Sequence, residues 1–173
     1  MPSIHHFQQV LDSLITDTCP DLPRRAQRRL VFFLLGILLA GTLVLRRIAS
    51  THAQVCVDSP SASSHERRLR RILHDRHLTW EQTYARAVRR ILQRPRSGPW
   101  WVLIDETGHT DQYRVLVAAL FYRGRALPLA WVSWPAQQPL SSGYWELCGL
   151  LLERVASVLP DGRLVVVGDR AFG

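Results

Sequence analysis

Two short apolar runs that each reach an aspartate place the strongest constraint on the fold of this chain. The first, WWVLIDE, spans residues 100–106 and contains Asp105; the second, LVVVGDRAFG, spans residues 164–173 and contains Asp169. An apolar run of this length is typical of a β-strand that is buried on both faces. A carboxylate at the carboxyl end of such a strand lies where the sheet meets solvent, which is a common place for chemistry.

The residues between the two runs predict the rest of a mixed sheet. Apolar segments at 114–122 and 126–132 flank an Arg-Gly turn, as in an antiparallel hairpin, and Pro128 favours an edge position for the third strand. Residues 144–159 read as a helix long enough to cross the sheet, so the last strand is expected to run parallel to the first. The fold class predicted for the chain is α+β, in which an all-helical region at residues 1–97 is followed at residues 98–173 by three antiparallel strands, a helix and a fourth strand parallel to the first.

The two aspartates are expected to face one cleft if the first and fourth strands are neighbours. Backbones of adjacent strands lie about 4.8 Å apart, and two carboxylates at that spacing repel each other unless a cation neutralises them. Carboxylate oxygens are ligands that Mg²⁺ prefers. Glu106 directly follows Asp105, so it should point to the opposite face of the strand and not join the same metal ion.

Positive charge is concentrated in the first half of the chain. Residues 1–98 contain 16 arginines and 7 acidic residues, whereas residues 99–173 contain 6 arginines and 7 acidic residues. The formal net charge of the chain is +8. This balance favours a polyanionic partner, which we expect to bind to the first half.

Two predicted helices in that half have arginine-rich outer faces. They span residues 64–75 and 80–93, because each begins with a capping-box pattern, Ser63 with Glu66 and Thr79 with Gln82, followed by helical spacing of apolar residues. Two helices joined by a short turn resemble a helix-turn-helix DNA reader in outline, although a solvated charged face is the alternative. The candidate DNA-binding residues on the two helices are Arg67, Arg68, Arg70, Arg71, Arg86, Arg89 and Arg90.

An uncharged stretch of 16 residues, 30–45, bears on localisation. A helix of that length rises about 24 Å, which is short of the roughly 30 Å hydrocarbon layer, and arginine pairs at both ends give no sidedness. We therefore expect the buried central helix of a helical region and no membrane partner; a small membrane-anchored protein is the alternative. Three cysteines without metal or redox spacing, and no convincing signal peptide, favour a reduced, cytoplasmic protein.

Three motifs in the second half resemble a known family. They are LIDET at 103–107, YRGRALPLAW at 122–131 and VGDRAFG at 167–173. Together they resemble the first part of the ribonuclease-H-like catalytic domain of DDE transposases, which bacterial insertion sequences encode. The resemblance implies a two-metal Mg²⁺ site for DNA strand cleavage and transfer, in which Asp105 bridges the ions and Asp169 holds one of them. Arg170 would then orient Asp169 or contact a phosphate.

The resemblance also implies partners and a domain organisation. Similar transposases have a helical DNA-binding region ahead of the catalytic domain, so residues 1–97 are expected to bind double-stranded DNA at transposon ends. The third acidic ligand of that family is a glutamate on a later helix, and this chain ends four residues after Asp169. We therefore expect a truncated, catalytically incomplete copy that acts as a homodimer or with a complementing downstream fragment. The alternative is a non-catalytic DNA-binding remnant.

Overall fold

A group of helices precedes a sheet in the chain. The computed structural model describes residues 4–55, 60–93, 98–109, 112–138 and 143–168. The chain divides into two compact units, Met1–Ala87 and Val88–Gly173, which are called the helical unit and the sheet unit below. The division falls inside α5, ten residues before the domain boundary that the sequence suggests after residue 97.

The elements follow the order expected for an α+β chain, with helices first. The first five helices are α1 (Ile4–Thr18), α2 (Arg24–Ala40), α3 (Leu45–Val55), α4 (Ala62–Leu73) and α5 (Tyr84–Leu92). The remaining elements are β1 (Trp100–His109), β2 (Tyr113–Tyr122), β3 (Arg125–Pro135), α6 (Tyr144–Val158) and β4 (Leu164–Gly168).

The uncharged stretch at 30–45 is not one continuous helix. α2 ends because Gly41 adopts a left-handed conformation with φ 59°, and its N–H donates to the carbonyl oxygen of Ile37 at 2.9 Å, a common way to end a helix. α3 then runs at 92° to α2. In the described part of the chain, no single helix is long and apolar enough to cross a membrane, and only this bent pair passes that test together.

α2 is the central helix of the helical unit, but it covers only residues 30–40 of the stretch predicted to be buried, and Leu38, Leu43 and Val44 are exposed. One side of α2 forms a buried cluster with α1, made of Leu11, Ile15, Val31 and Leu35. Its other side adds Phe32, Phe33 and Ile37 to a second cluster, whose buried members on α3 and α4 are Ile48, Ala49 and Leu69. α2 and α3 approach closely at Gly36, where a Cβ atom would lie 2.4 Å from Nε2 of His52.

The sheet has the predicted topology. Its strand order is β3-β2-β1-β4, with β1–β2 and β2–β3 antiparallel and β1–β4 parallel. Pro128 lies on β3, which is an edge strand, so the expectation drawn from that proline is confirmed. The β2–β3 register shifts between Ala118 and Ala119, beside the proline, which cannot donate a ladder hydrogen bond.

The two faces of the sheet differ in exposure. Trp100, Val102 and Ile104 of β1 are buried, and Tyr144 at the start of α6 hydrogen-bonds Glu106 on the same face of the strand. α6 therefore packs on this face. The opposite face has large apolar side chains that are 40–52% exposed, namely Trp101, Leu103, Phe121, Trp131 and Val167. We call this the open face.

Candidate functional site

Asp105 lies on β1 with its side chain exposed on the open face. The last described β1–β4 pair is Ile104 with Gly168, so Asp105 is the first β1 residue beyond that pairing. The sequence suggests a strand that stops at the aspartate, but β1 continues to His109 because it goes on pairing with β2. Asp169 and Arg170, the other candidate residues of this site, lie outside the described residues.

Glu106 lies on the opposite face from Asp105, as predicted. Its side chain is 25% exposed and its Oε1 atom is 2.7 Å from Nη1 of Arg114, which is on the neighbouring strand. Tyr144 of α6 donates a second hydrogen bond to it. Burial, this hydrogen bond and the negative charge of Glu106 raise the pKa of Tyr144 to about 12. Glu106 is thus fixed under α6 and is unable to share a cation with Asp105.

The described residues contain one of the two predicted metal ligands. Asp105 offers exposed carboxylate oxygens, the donor type that suits Mg²⁺. Within the described ranges, no group of three His, Cys, Asp or Glu side chains lies close enough to hold a metal ion. Glu146 and Glu153 of α6 are exposed. A Mg²⁺ site at Asp105 therefore depends on Asp169 and on further oxygen ligands.

The candidate DNA-binding arginines of α4 are exposed and line an open surface. Arg67, Arg70 and Arg71, together with Ser64, border a depression of about 480 Å³. Nη2 of Arg70 is 2.7 Å from Oε1 of Glu66, one helical turn earlier, so part of its charge is already balanced. Arg67 and Arg71 are the more available cations of this depression.

The candidate arginines of α5 have structural partners. Nη1 of Arg86 donates to Oδ2 of Asp21 at 2.8 Å within the helical unit. Nε of Arg89 donates to the carbonyl oxygen of Ser157 at 3.0 Å in the sheet unit, where it satisfies a backbone acceptor in the last turn of α6. Arg90 is exposed. Neutralising Arg86 or Arg89 would therefore disturb packing as well as surface charge.

The link between α4 and α5 differs from a helix-turn-helix motif. Ten residues, 74–83, separate the two helices, whereas the motif uses a turn of about 3–4 residues. α5 begins at Tyr84 rather than near residue 80, although Oγ1 of Thr79 does accept the predicted bond from the N–H of Gln82 at 3.3 Å. α4 is capped by Ser61 instead of Ser63. The resemblance to a helix-turn-helix is thus limited to the presence of two basic helices.

Sequence reasoning missed three arginines at the start of α2. Arg25, Arg28 and Arg29 line a cleft of about 260 Å³ together with Arg68, Arg71 and Ile72 of α4. The i, i+3, i+4 spacing of the three residues puts them on one face of α2, and this spacing was the available signal. The contact between this face of α2 and α4 is a result of tertiary packing, which the spacing does not indicate.

Comparisons of the chain with protein-family models, with curated proteins and with solved structures gave no match. Three features of the chain itself bear on its class of protein. They are the mixed sheet, the exposed Asp105 and the arginine-lined surfaces of α2 and α4.

Proposed function

We propose that this chain is part of a DDE-type transposase, which binds double-stranded DNA and contributes two carboxylates to a Mg²⁺-dependent strand cleavage and transfer site. Asp105 and Asp169 would be the metal ligands. The helical unit would contact DNA through the arginines of α4.

The observation that best supports the proposal is the pairing of β1 with β4. The two strands are parallel neighbours, and their last described pair is Ile104 with Gly168. In the sequence an aspartate follows each member of that pair, Asp105 after Ile104 and Asp169 after Gly168. Adjacent strands lie about 4.8 Å apart, a spacing at which two carboxylates are able to share a cation.

The exposed position of Asp105 suits a role at a phosphate. When bound, Mg²⁺ would supply Lewis-acid stabilisation of the charge that develops on the transferred phosphoryl group. Asp105 would orient the ion from the open face, where DNA has access. Glu106 would hold β1 against β2 through Arg114 and against α6 through Tyr144.

Paramagnetic NMR with Mn²⁺ tests the metal site directly. Carboxylate ligands bind Mn²⁺ as well as Mg²⁺, and Mn²⁺ broadens the signals of nearby nuclei. We expect Mn²⁺ to broaden amide signals around residues 103–107 and 167–168, and excess Mg²⁺ to reverse the effect. Asp105→Asn should abolish the broadening. Broadening that persists in this variant would refute the assigned ligand.

The adjacent carboxylate provides a matched control. Glu106→Gln also removes one negative charge from β1, but from the face that α6 covers. It should leave the Mn²⁺ effect in place. Strand nicking is expected when a polypeptide that supplies a third acidic ligand is added together with Mg²⁺, and it should require Asp105. Nicking of the same rate with Asp105→Asn would overturn the catalytic assignment.

A non-catalytic DNA-binding protein is the second candidate function. It is favoured by the arginine-lined depression on α4, because that surface needs no metal site to attract a polyanion. The two candidates differ in one result. Salt-sensitive DNA binding without any residue-specific effect of Mn²⁺ would leave the second candidate standing and exclude the first.

A further inference from the structure

The cleft between α2 and α4 contains a high concentration of positive charge. Arg25, Arg28 and Arg29 project from one face of the first two turns of α2, and Arg68 and Arg71 project from one face of α4. Among the described residues that line the cleft, Ile72 is the one with an apolar side chain. Arg29 forms an ion pair with the carboxylate of Asp75.

Two of the five arginines are held in place before any ligand arrives. The guanidinium of Arg68 lies 3.9 Å above the ring of Phe32, which itself stacks on His52 at 3.9 Å. The carboxylate of Asp75 is 3% exposed, and it accepts hydrogen bonds from Arg29 and from the N–H of His77. The stacked guanidinium of Arg68 therefore loses less side-chain entropy when it binds an anion, whereas the charge of Arg29 is balanced by Asp75.

The charges in the cleft repel one another. Burial and the positive charges of Arg29 and Arg71 lower the pKa of Arg68. An anion in the cleft would relieve this repulsion, and a phosphate is the anion that matches paired guanidinium groups best, because arginine donates to it in a bidentate fashion.

We propose that the cleft between α2 and α4 is a binding site for a backbone phosphate of duplex DNA, with Arg25 and Arg28 as contact residues in addition to Arg68 and Arg71. Arg71 lines both this cleft and the depression formed by Arg67, Arg70 and Ser64. The two hollows therefore adjoin each other at Arg71, and together they form an arginine track across α2 and α4.

A track of this kind fits a polymer of phosphates better than a single headgroup. Duplex DNA presents phosphates at regular intervals, so one strand is able to occupy both hollows at once. The choice of DNA over other polyphosphates rests on the proposed function. Phosphate binding by the cleft does not rest on it, because phosphate contacts are independent of metal binding at Asp105.

The test is DNA binding by the full chain with and without the two α2 arginines. Fluorescence anisotropy of a labelled 20-base-pair duplex would be followed in EDTA over a range of salt concentrations. Arg25→Gln/Arg28→Gln removes two exposed cations from the cleft. The matched control, Arg46→Gln/Arg47→Gln, removes two exposed cations from α3, which does not line it.

The cleft variant should bind DNA more weakly by on the order of 10- to 100-fold at 0.1 M salt, and its slope of log affinity against log salt should be shallower by about 2. The α3 control should change affinity by less than about threefold, because removing two remote charges affects only the diffuse field. Arg25→Lys/Arg28→Lys should recover most of the salt slope. Circular dichroism and melting curves that match the unsubstituted chain would establish that the variants are folded.

Equal losses in the cleft variant and the α3 control would overturn the proposal, since they would show only a general charge effect. An unsubstituted chain that does not bind duplex DNA would overturn it too. Co-sedimentation with phosphatidylserine vesicles is the competing arm: a cleft variant that loses vesicle binding but keeps DNA affinity would assign the cleft to lipid headgroups and refute DNA. Failure of the Mn²⁺ experiment at Asp105 would leave this result unaffected.

Discussion

Gly36→Ala should destabilise the helical unit, although the same change stabilises most helices. Gly36 lies inside α2, where alanine is favoured over glycine by about 1 kcal/mol. At this position an added Cβ would lie 2.4 Å from Nε2 of His52 and 2.5 Å from Cγ2 of Ile48. Neither side chain is free to move aside, because both are at most 2% exposed and His52 is stacked on Phe32.

The magnitude follows from three contributions. Overpacking of a close-packed core costs about 1–3 kcal/mol. Displacing His52 also breaks the hydrogen bond from its Nε2 to the carbonyl oxygen of Phe32, 3.1 Å in length, at a cost of about 1 kcal/mol. The helix propensity of alanine returns about 1 kcal/mol. The expected net loss of unfolding free energy is therefore roughly 1–3 kcal/mol.

Urea denaturation followed by far-UV circular dichroism measures this loss, with the m-value checked for constancy. Gly149→Ala is the matched control: Gly149 lies inside α6, and an added Cβ would meet nothing within 4 Å. The control should gain about 0.5–1 kcal/mol. If the two substitutions shift the unfolding midpoint in the same stabilising direction, the close approach of α2 to α3 at Gly36 is wrong.

Two further predictions concern buried charge in the helical unit. Acidification from pH 7.5 to 5.5 should lower its stability, because burial lowers the pKa of His52 and of His65, so that the unfolded chain takes up protons that the folded chain does not. The contribution of the two neutral histidines to the free energy of unfolding is complete above the unfolded-state pKa of about 6.5. It is lost as the pH falls through their folded-state pKa values. Urea titrations should show a smaller difference in the free energy of unfolding between the two pH values for His52→Gln than for the unsubstituted chain. Equal stabilities of the unsubstituted chain at the two pH values would contradict the prediction. Asp75→Asn should cost about 1–3 kcal/mol, because the hydrogen bond from Arg29 holds the pKa of Asp75 low and that pair is lost. The same variant should bind DNA more tightly, with a salt slope steeper by about 0.9, since Arg29 becomes available to phosphate; unchanged or weaker binding would argue against the cleft.

The sheet could be predicted from sequence because each of its elements is indicated by a short, continuous stretch of residues. Each strand is indicated by an apolar run and the hairpin by an Arg-Gly turn. The helix before β4 is long enough for a right-handed crossover, which makes β4 parallel to β1. The alternation of side chains along a strand also placed Asp105 and Glu106 on opposite faces correctly. The partners of Glu106 were not predictable, because they depend on the β1–β2 register and on where α6 begins.

The helical unit was predicted less well because its arrangement depends on contacts between distant segments. The left-handed conformation of Gly41 divides a stretch that hydropathy treats as continuous. The late start of α5 follows from a turn at residues 80–83, which the capping pattern at Thr79 does not reveal. The arginine cleft joins residues 25–29 to residues 68–72, and no property of either segment alone indicates that they meet.

For the proposed Mg²⁺ site, the position of Asp105 on the open face restricts where the other ligands would have to come from. α6 packs on the other face, and the space beside β1 there is taken by Glu106 with Arg114 and Tyr144. The exposed glutamates of α6 are on that same side of the sheet, so they are poorly placed to reach a cation bound by Asp105. A third acidic ligand would therefore have to approach across the open face, over the exposed apolar side chains of β1 and β4. A segment that covers those side chains while it presents a carboxylate would satisfy both requirements, and neither α6 nor Glu106 is able to do so.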